Sequence, residues 1–153
     1  MKKTKSATPC LGICSTTYGD DVCRGCKRFV HEVINWTSYT EDEKVNVNSR
    51  LESFKLTVLK EKFSIFDAGM LAEQLQAYSI NFNDSLDPLS WIFDLLRASG
   101  SQDLDIAKFG ISIHPDYSDY SLGELKDLIN KELFELSQAH YDRYFSIWPP
   151  AAR

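Results

Sequence analysis

The chain has 153 residues, 43% hydrophobic and 25% charged, with a formal net charge of −5. That composition suits one compact soluble domain, or a small module joined to a modest second body. No apolar run approaches the roughly 20 residues of a membrane-spanning helix, so no membrane partner is expected and a cytoplasmic location is. Charge is unevenly distributed: residues 1–62 carry 11 Lys/Arg against 8 Asp/Glu, net +3, and residues 63–153 carry 6 against 14, net −8. An acidic body of this kind repels phosphate and weighs against nucleic acid as the partner.

Taken in order, Met1 to Thr8 holds Lys2, Lys3 and Lys5 among small polar residues and reads as an exposed leader. Then come all four cysteines, Cys10, Cys14, Cys23 and Cys26, spaced C-x3-C-x8-C-x2-C. Two close pairs separated by a short loop are what a tetrahedral thiolate site needs, and these four residues are the expected metal ligands. Gly25 and Gly12, inside the two pairs, allow the positive φ that such turns use. Arg24, Lys27 and Arg28 place positive charge beside the second pair. Disulfides are the competing reading, but Met1 to Pro9 lacks the apolar stretch of a secretory or lipoprotein signal, and thiols stay reduced in the cytosol. Four thiolates suit structural zinc and equally suit an iron–sulfur cluster. Asp20 and Asp21, in the loop between the pairs, read as turn residues. His31 lies five residues beyond Cys26 and is a weak substitute ligand.

Pro9-Cys10-x3-Cys14, Cys23-x-Gly25-Cys26-x-Arg28, Glu32, Trp36 and Thr40-x-x-Glu43-Lys44 together resemble the YdhL-like family of small bacterial proteins. That family is a domain of unknown function carried as predicted Fe–S proteins. The resemblance covers about residues 8–51, and Phe29 stands where the family more often has a small polar residue. It implies an Fe–S centre at the four cysteines and no particular reaction. The cofactor therefore remains Fe–S or zinc.

Beyond the cysteines, Phe29, Val30, Val33, Ile34 and Trp36 follow helical spacing, which predicts a helix from Cys26 to Trp36 with its N-terminus beside the last thiolate. Glu32 would pair with Arg28 at i,i+4. Thr40-Glu41-Asp42-Glu43 is a capping box that starts a second helix to about Lys60, with Arg50 and the lysines outward. Phe63 to Phe66 and Ile80 to Phe82 alternate like short strands, and Ala68 to Tyr78 between them reads as a helix. Asp87-Pro88 opens another helix that stops before Ser99-Gly100-Ser101. Leu104 to Phe109 is a short helix closed by Gly110, followed by the apolar segment Ile111–Ile113 and a turn at His114–Tyr117. Ser121-Leu122-Gly123-Glu124 is a second capping box, opening the longest helix, to about Phe145. Ile147-Trp148-Pro149-Pro150 ends the structure.

The expected architecture is thus mainly α: a four-cysteine knuckle and helical hairpin over residues 8–60, then an acidic α-rich body over 63–148 with two or three short strands in all. No nucleotide-binding loop or nucleophile elbow is present, His114 and His140 stand alone, and no catalytic residue is assigned. The expected function is a non-enzymatic accessory protein that binds another protein. The alternatives are Fe–S electron transfer and nucleic-acid binding through the basic knuckle.

Overall fold

The computed structural model describes residues 8–12, 14–99 and 104–146. Among them the chain is mainly α-helical, with a two-stranded antiparallel sheet. The helices are α1 (Val30–Asn35), α2 (Glu41–Leu59), α3 (Ala68–Ala77), α4 (Pro88–Ser99) and α5 (Leu122–Tyr141); the strands are β1 (Phe63–Ile65) and β2 (Ile111–Ile113). The residues group into two compact units, Met1–Phe54 with Leu133–Arg153, and Lys55–Glu132. Residues 1–7 of the leader, the Gly100 to Asp103 segment and the Trp148 tail lie outside the described residues.

In the first unit, Val22 and Phe29 form an isolated antiparallel bridge. Around it, Cys23 N–H donates to Arg28 O at 2.9 Å and Val30 N–H to Asp21 O at 2.8 Å. Closing so short a loop requires a left-handed residue, and it is Lys27 (φ +69°), not Gly25, that turns. The conformation costs an L-residue about 1–2 kcal/mol. Gly12 (φ +90°) does adopt the left-handed backbone expected of it. Because the chain is still turning at Lys27, α1 begins at Val30 and not at Cys26. Its first turn is capped from within, as Glu32 Oε1 accepts the Phe29 N–H at 2.8 Å.

The late start of α1 changes which side chains meet. Arg28 lies before the helix, so the expected i,i+4 pair with Glu32 does not form. Arg28 stacks over Trp36 at 5.0 Å instead, and Glu32 receives both Nη groups of Arg50, at 2.5 and 2.7 Å. Arg50, expected outward, is therefore turned toward α1, with its side chain 18% exposed. Glu32 on α1 and Trp36, which opens the 3-10 turn Trp36–Ser38 directly after it, are buried, whereas Ile34 is 72% exposed. The Thr40–Glu43 capping box forms as expected, with reciprocal bonds of 3.0 and 3.2 Å.

Phe29 is the centre of this unit. The Arg50 guanidinium sits 4.0 Å from its ring centroid. His140, Tyr141 and Phe145, from the end of α5 and the turn after it, lie at 5.7, 5.4 and 5.3 Å. Regular helix stops at Tyr141 and continues as one π-helical turn, Asp142–Ser146, short of the expected regular helix to Phe145.

The second unit is built on β1 and β2, paired in the register Phe63↔Ile113, Ser64↔Ser112 and Ile65↔Ile111. Helix α3 packs on α4 and on the single turn Ile106–Phe109, and α4 lies against β1. Leu71, Leu75, Ile92, Leu95, Phe109, Ile111, Leu125 and Ile129 supply its buried apolar side chains. Gly110 is fixed by position: it has φ +72°, and a Cβ there would stand 2.3 Å from the Asp67 carbonyl oxygen. Lys62 is fully buried, paired with Glu132 and lying over the Tyr117 ring at 5.0 Å. Ile80–Phe82 is not a strand: Ile80 N–H is taken by Leu75 O at 2.9 Å, which closes the end of α3, and Phe82 packs on Trp91 at 4.8 Å.

Candidate metal centre

The knuckle places two of the four expected ligands together. Cys23 and Cys26 are 1% and 8% exposed, and their side chains are within hydrogen-bond reach of each other. Burial disfavours a charged sulfur at Cys23, but backbone N–H groups of Cys26, Ser15 and Gly25, with the Cys26 thiol, outweigh it and bring its pKa from 9.0 to about 7. Burial pushes the Cys26 thiol up, opposed by Arg28, whose Nε–H donates to Cys26 Sγ at 3.3 Å. Of the two sulfurs, Cys23 ionises first.

The first pair is more open. The Cys14 side chain is half-buried, with its sulfur 3.0 Å from Thr16 Oγ1. Cys10 is exposed and its sulfur accepts the Gly12 N–H at 3.4 Å. A single 3-10 turn, Ser15–Tyr18, closed by Gly19 (φ +98°), carries the chain from Cys14 back to the knuckle. Ser15 joins the two pairs: its N–H reaches Cys23 Sγ, and its Oγ accepts the Arg24 N–H at 2.8 Å. All four cysteines are free of disulfides. Among the described residues no three His, Cys, Asp or Glu side chains are grouped closely enough to hold a metal ion; the convergence seen is that of Cys23 with Cys26.

The donor set fits a thiolate-bound metal at this pair, since sulfurs that receive backbone and guanidinium N–H groups are stabilised as anions. The basic residues divide the work. Arg28 reaches sulfur, Lys27 folds back onto backbone carbonyls, and Arg24 turns away to Asp20 at 3.2 Å and the Phe134 ring at 4.4 Å. Asp20 and Asp21 act as turn residues, Asp21 through its carbonyl. His31 lies beside Phe145 and Phe29, at 4.8 and 5.8 Å between ring centroids. Ser15 had no signal in the sequence as a sulfur partner, because its role depends on the loop folding over Cys23.

No helix among the described residues is long and apolar enough to cross a membrane. No curated protein and no solved structure matches the chain. A family model described as "Protein of unknown function (DUF1289)" matches residues 8–55, a span that contains the four cysteines, Trp36 and the Thr40–Glu43 capping box. The N-terminal third of the chain is thus similar to a domain-of-unknown-function family whose description names neither a metal nor a reaction.

Proposed function

We propose that Cys10, Cys14, Cys23 and Cys26 hold one metal centre, zinc or an iron–sulfur cluster, in a non-catalytic cytoplasmic accessory protein that binds another protein. The observation that carries this reading is the burial of the Cys23–Cys26 pair among N–H donors from Ser15, Gly25, Cys26 and Arg28. Such a closed, donor-rich pair is what a structural thiolate site requires. Cys10 and Cys14 supply the remaining two sulfurs. The centre braces the knuckle whose Arg28 and Phe29 pack onto Trp36 and the end of α5. Zinc would supply a cross-link; a cluster would supply single-electron transfer as well. Exposed apolar side chains of the first unit, Tyr18 at 90% and Ile34 at 72%, offer contact for a protein partner.

The test is anaerobic purification with a visible spectrum and elemental analysis of iron and zinc. About one zinc per chain in a colourless protein makes the centre structural. A brown protein with equivalent iron and sulfide makes electron transfer the role. In either case Cys26→Ser is expected to lose the metal and loosen the first unit, and full metal content in that variant overturns the assignment. A mobility shift with nucleic-acid probes at moderate salt would favour the basic knuckle as a nucleic-acid contact.

A further inference from the structure

Lys27 combines two features that are each unusual for a lysine. It is 5% exposed, and it occupies the left-handed backbone region that glycine adopts without strain. Its ammonium turns back onto the backbone of the knuckle. It donates to Arg24 O at 2.5 Å and to Gly25 O at 2.8 Å. Those carbonyls belong to the peptide units Arg24–Gly25 and Gly25–Cys26. The N–H groups of the same two units, on Gly25 and Cys26, are donors to Cys23 Sγ. A trans peptide unit is planar, with C=O and N–H on opposite sides. A cation that grips the carbonyls from one side therefore sets the direction of both N–H groups on the other. It also polarises them, because hydrogen bonds in a chain strengthen one another.

We infer that Lys27 is a positioning residue of the candidate metal centre, holding the Arg24–Gly25 and Gly25–Cys26 peptide planes so that both N–H groups stay on the Cys23 sulfur. The inference rests on the metal-centre reading above. It explains why a residue with an unfavourable backbone conformation is accepted at the tip of the knuckle: glycine there would relax the turn but leave both carbonyls ungripped. It also separates Lys27 from Arg28, which donates to Cys26 Sγ directly.

The test uses the full-length chain, stripped of metal under reducing conditions and titrated with Co2+, then with Zn2+ against a chelator. Lys27→Met keeps most of the stem and removes the ammonium, Lys27→Arg returns a cation, and Lys27→Gly removes both the ammonium and the strain. Lys27→Met is expected to lower Zn2+ affinity about 10- to 100-fold, the usual effect of losing an outer-shell partner. Its thiolate-to-cobalt absorption should move to longer wavelength, since a sulfur with weaker N–H donors gives up electron density more easily. Lys27→Gly should follow Lys27→Met in both readouts although its turn is relaxed, and Lys27→Arg should recover most of the loss. A Lys27→Gly chain that binds Zn2+ as tightly as the parent, with an unshifted band, makes Lys27 a strained turn residue only and overturns the inference. A parent chain with no thiolate-to-cobalt band overturns the metal-centre reading and this inference with it, so the two failures are told apart.

Discussion

Replacing Arg50 with methionine is expected to destabilise the first unit by about 3 kcal/mol. Arg50 makes two charge-assisted bonds to Glu32, whose side chain is only 6% exposed. Methionine retains much of the stem that covers Phe29 but strands the Glu32 carboxylate, leaving it the Phe29 N–H. Removing one partner of a buried pair costs roughly 3–5 kcal/mol. Against this, Arg50 Nε is buried without an acceptor, and losing that unsatisfied N–H returns roughly 1 kcal/mol, which places the estimate at the low end. Urea unfolding, followed by tryptophan fluorescence and circular dichroism at matched metal content, measures the change. Glu32→Gln keeps an acceptor for the Phe29 N–H and leaves a cation that is partly in water, so it should cost less. The double variant Glu32→Leu with Arg50→Met should be clearly more stable than the sum of the single changes predicts, because neither charge is then stranded. Additive single and double effects, or a loss below about 0.5 kcal/mol for Arg50→Met, would refute the claim that this pair joins α1 to α2.

Other consequences can be measured in the same way. Gly110→Ala combines left-handed backbone with a Cβ against the Asp67 carbonyl; a loss of about 2–4 kcal/mol in thermal or urea unfolding is expected, and a neutral result would mean that the β1–β2 connection yields easily. Burial lowers the pKa of His140, with Arg50 adding to the effect and Glu32 opposing it. The unfolded chain then takes up the proton first, so this stability is full above the ordinary histidine pKa of about 6.5 and is lost as pH falls below it. Replacing His140 with phenylalanine should flatten that part of the stability profile, while His31 and His114 remain to show any common background. An unchanged slope would remove His140 as its source.

A good part of the secondary structure was legible in the chain because its signals are local. The capping boxes at Thr40 and Ser121 start α2 and α5 where reciprocal side-chain bonds satisfy free N–H groups. Asp87 caps the first turn of α4, its Oδ1 accepting Leu89 N–H at 2.9 Å, and Gly110 ends the Ile106–Phe109 turn. The mainly α class with short strands follows from these signals and from apolar spacing. The local errors have one physical source, which is competition from longer-range contacts. The period from Phe29 to Trp36 looked continuous with Cys26, but the Val22–Phe29 bridge takes the backbone that the first helical turn would have used. Ile80 and Phe82 alternate as a strand does, yet no partner strand faces them among the described residues, and the end of α3 with Trp91 claims them instead.

For the candidate site, the sequence by itself determined the donor chemistry: four thiols at paired spacing, with basic residues beside the second pair. Tertiary structure decided the rest. It brought the Cys23 sulfur under the N–H groups of Ser15, Gly25 and Cys26 and the Cys26 sulfur under Arg28, moved the left-handed turn from Gly25 to Lys27, and gave Glu32 to Arg50. It also supplied an account of Phe29, the departure from the resembling family. A large ring at that position is filled in by His140, Tyr141 and Phe145, which lie far beyond the matched residues 8–55. Spacing reports what one turn of chain can do, whereas these partners are separated by about a hundred residues and meet only because burying Phe29 requires apolar surface that the short α1 cannot provide.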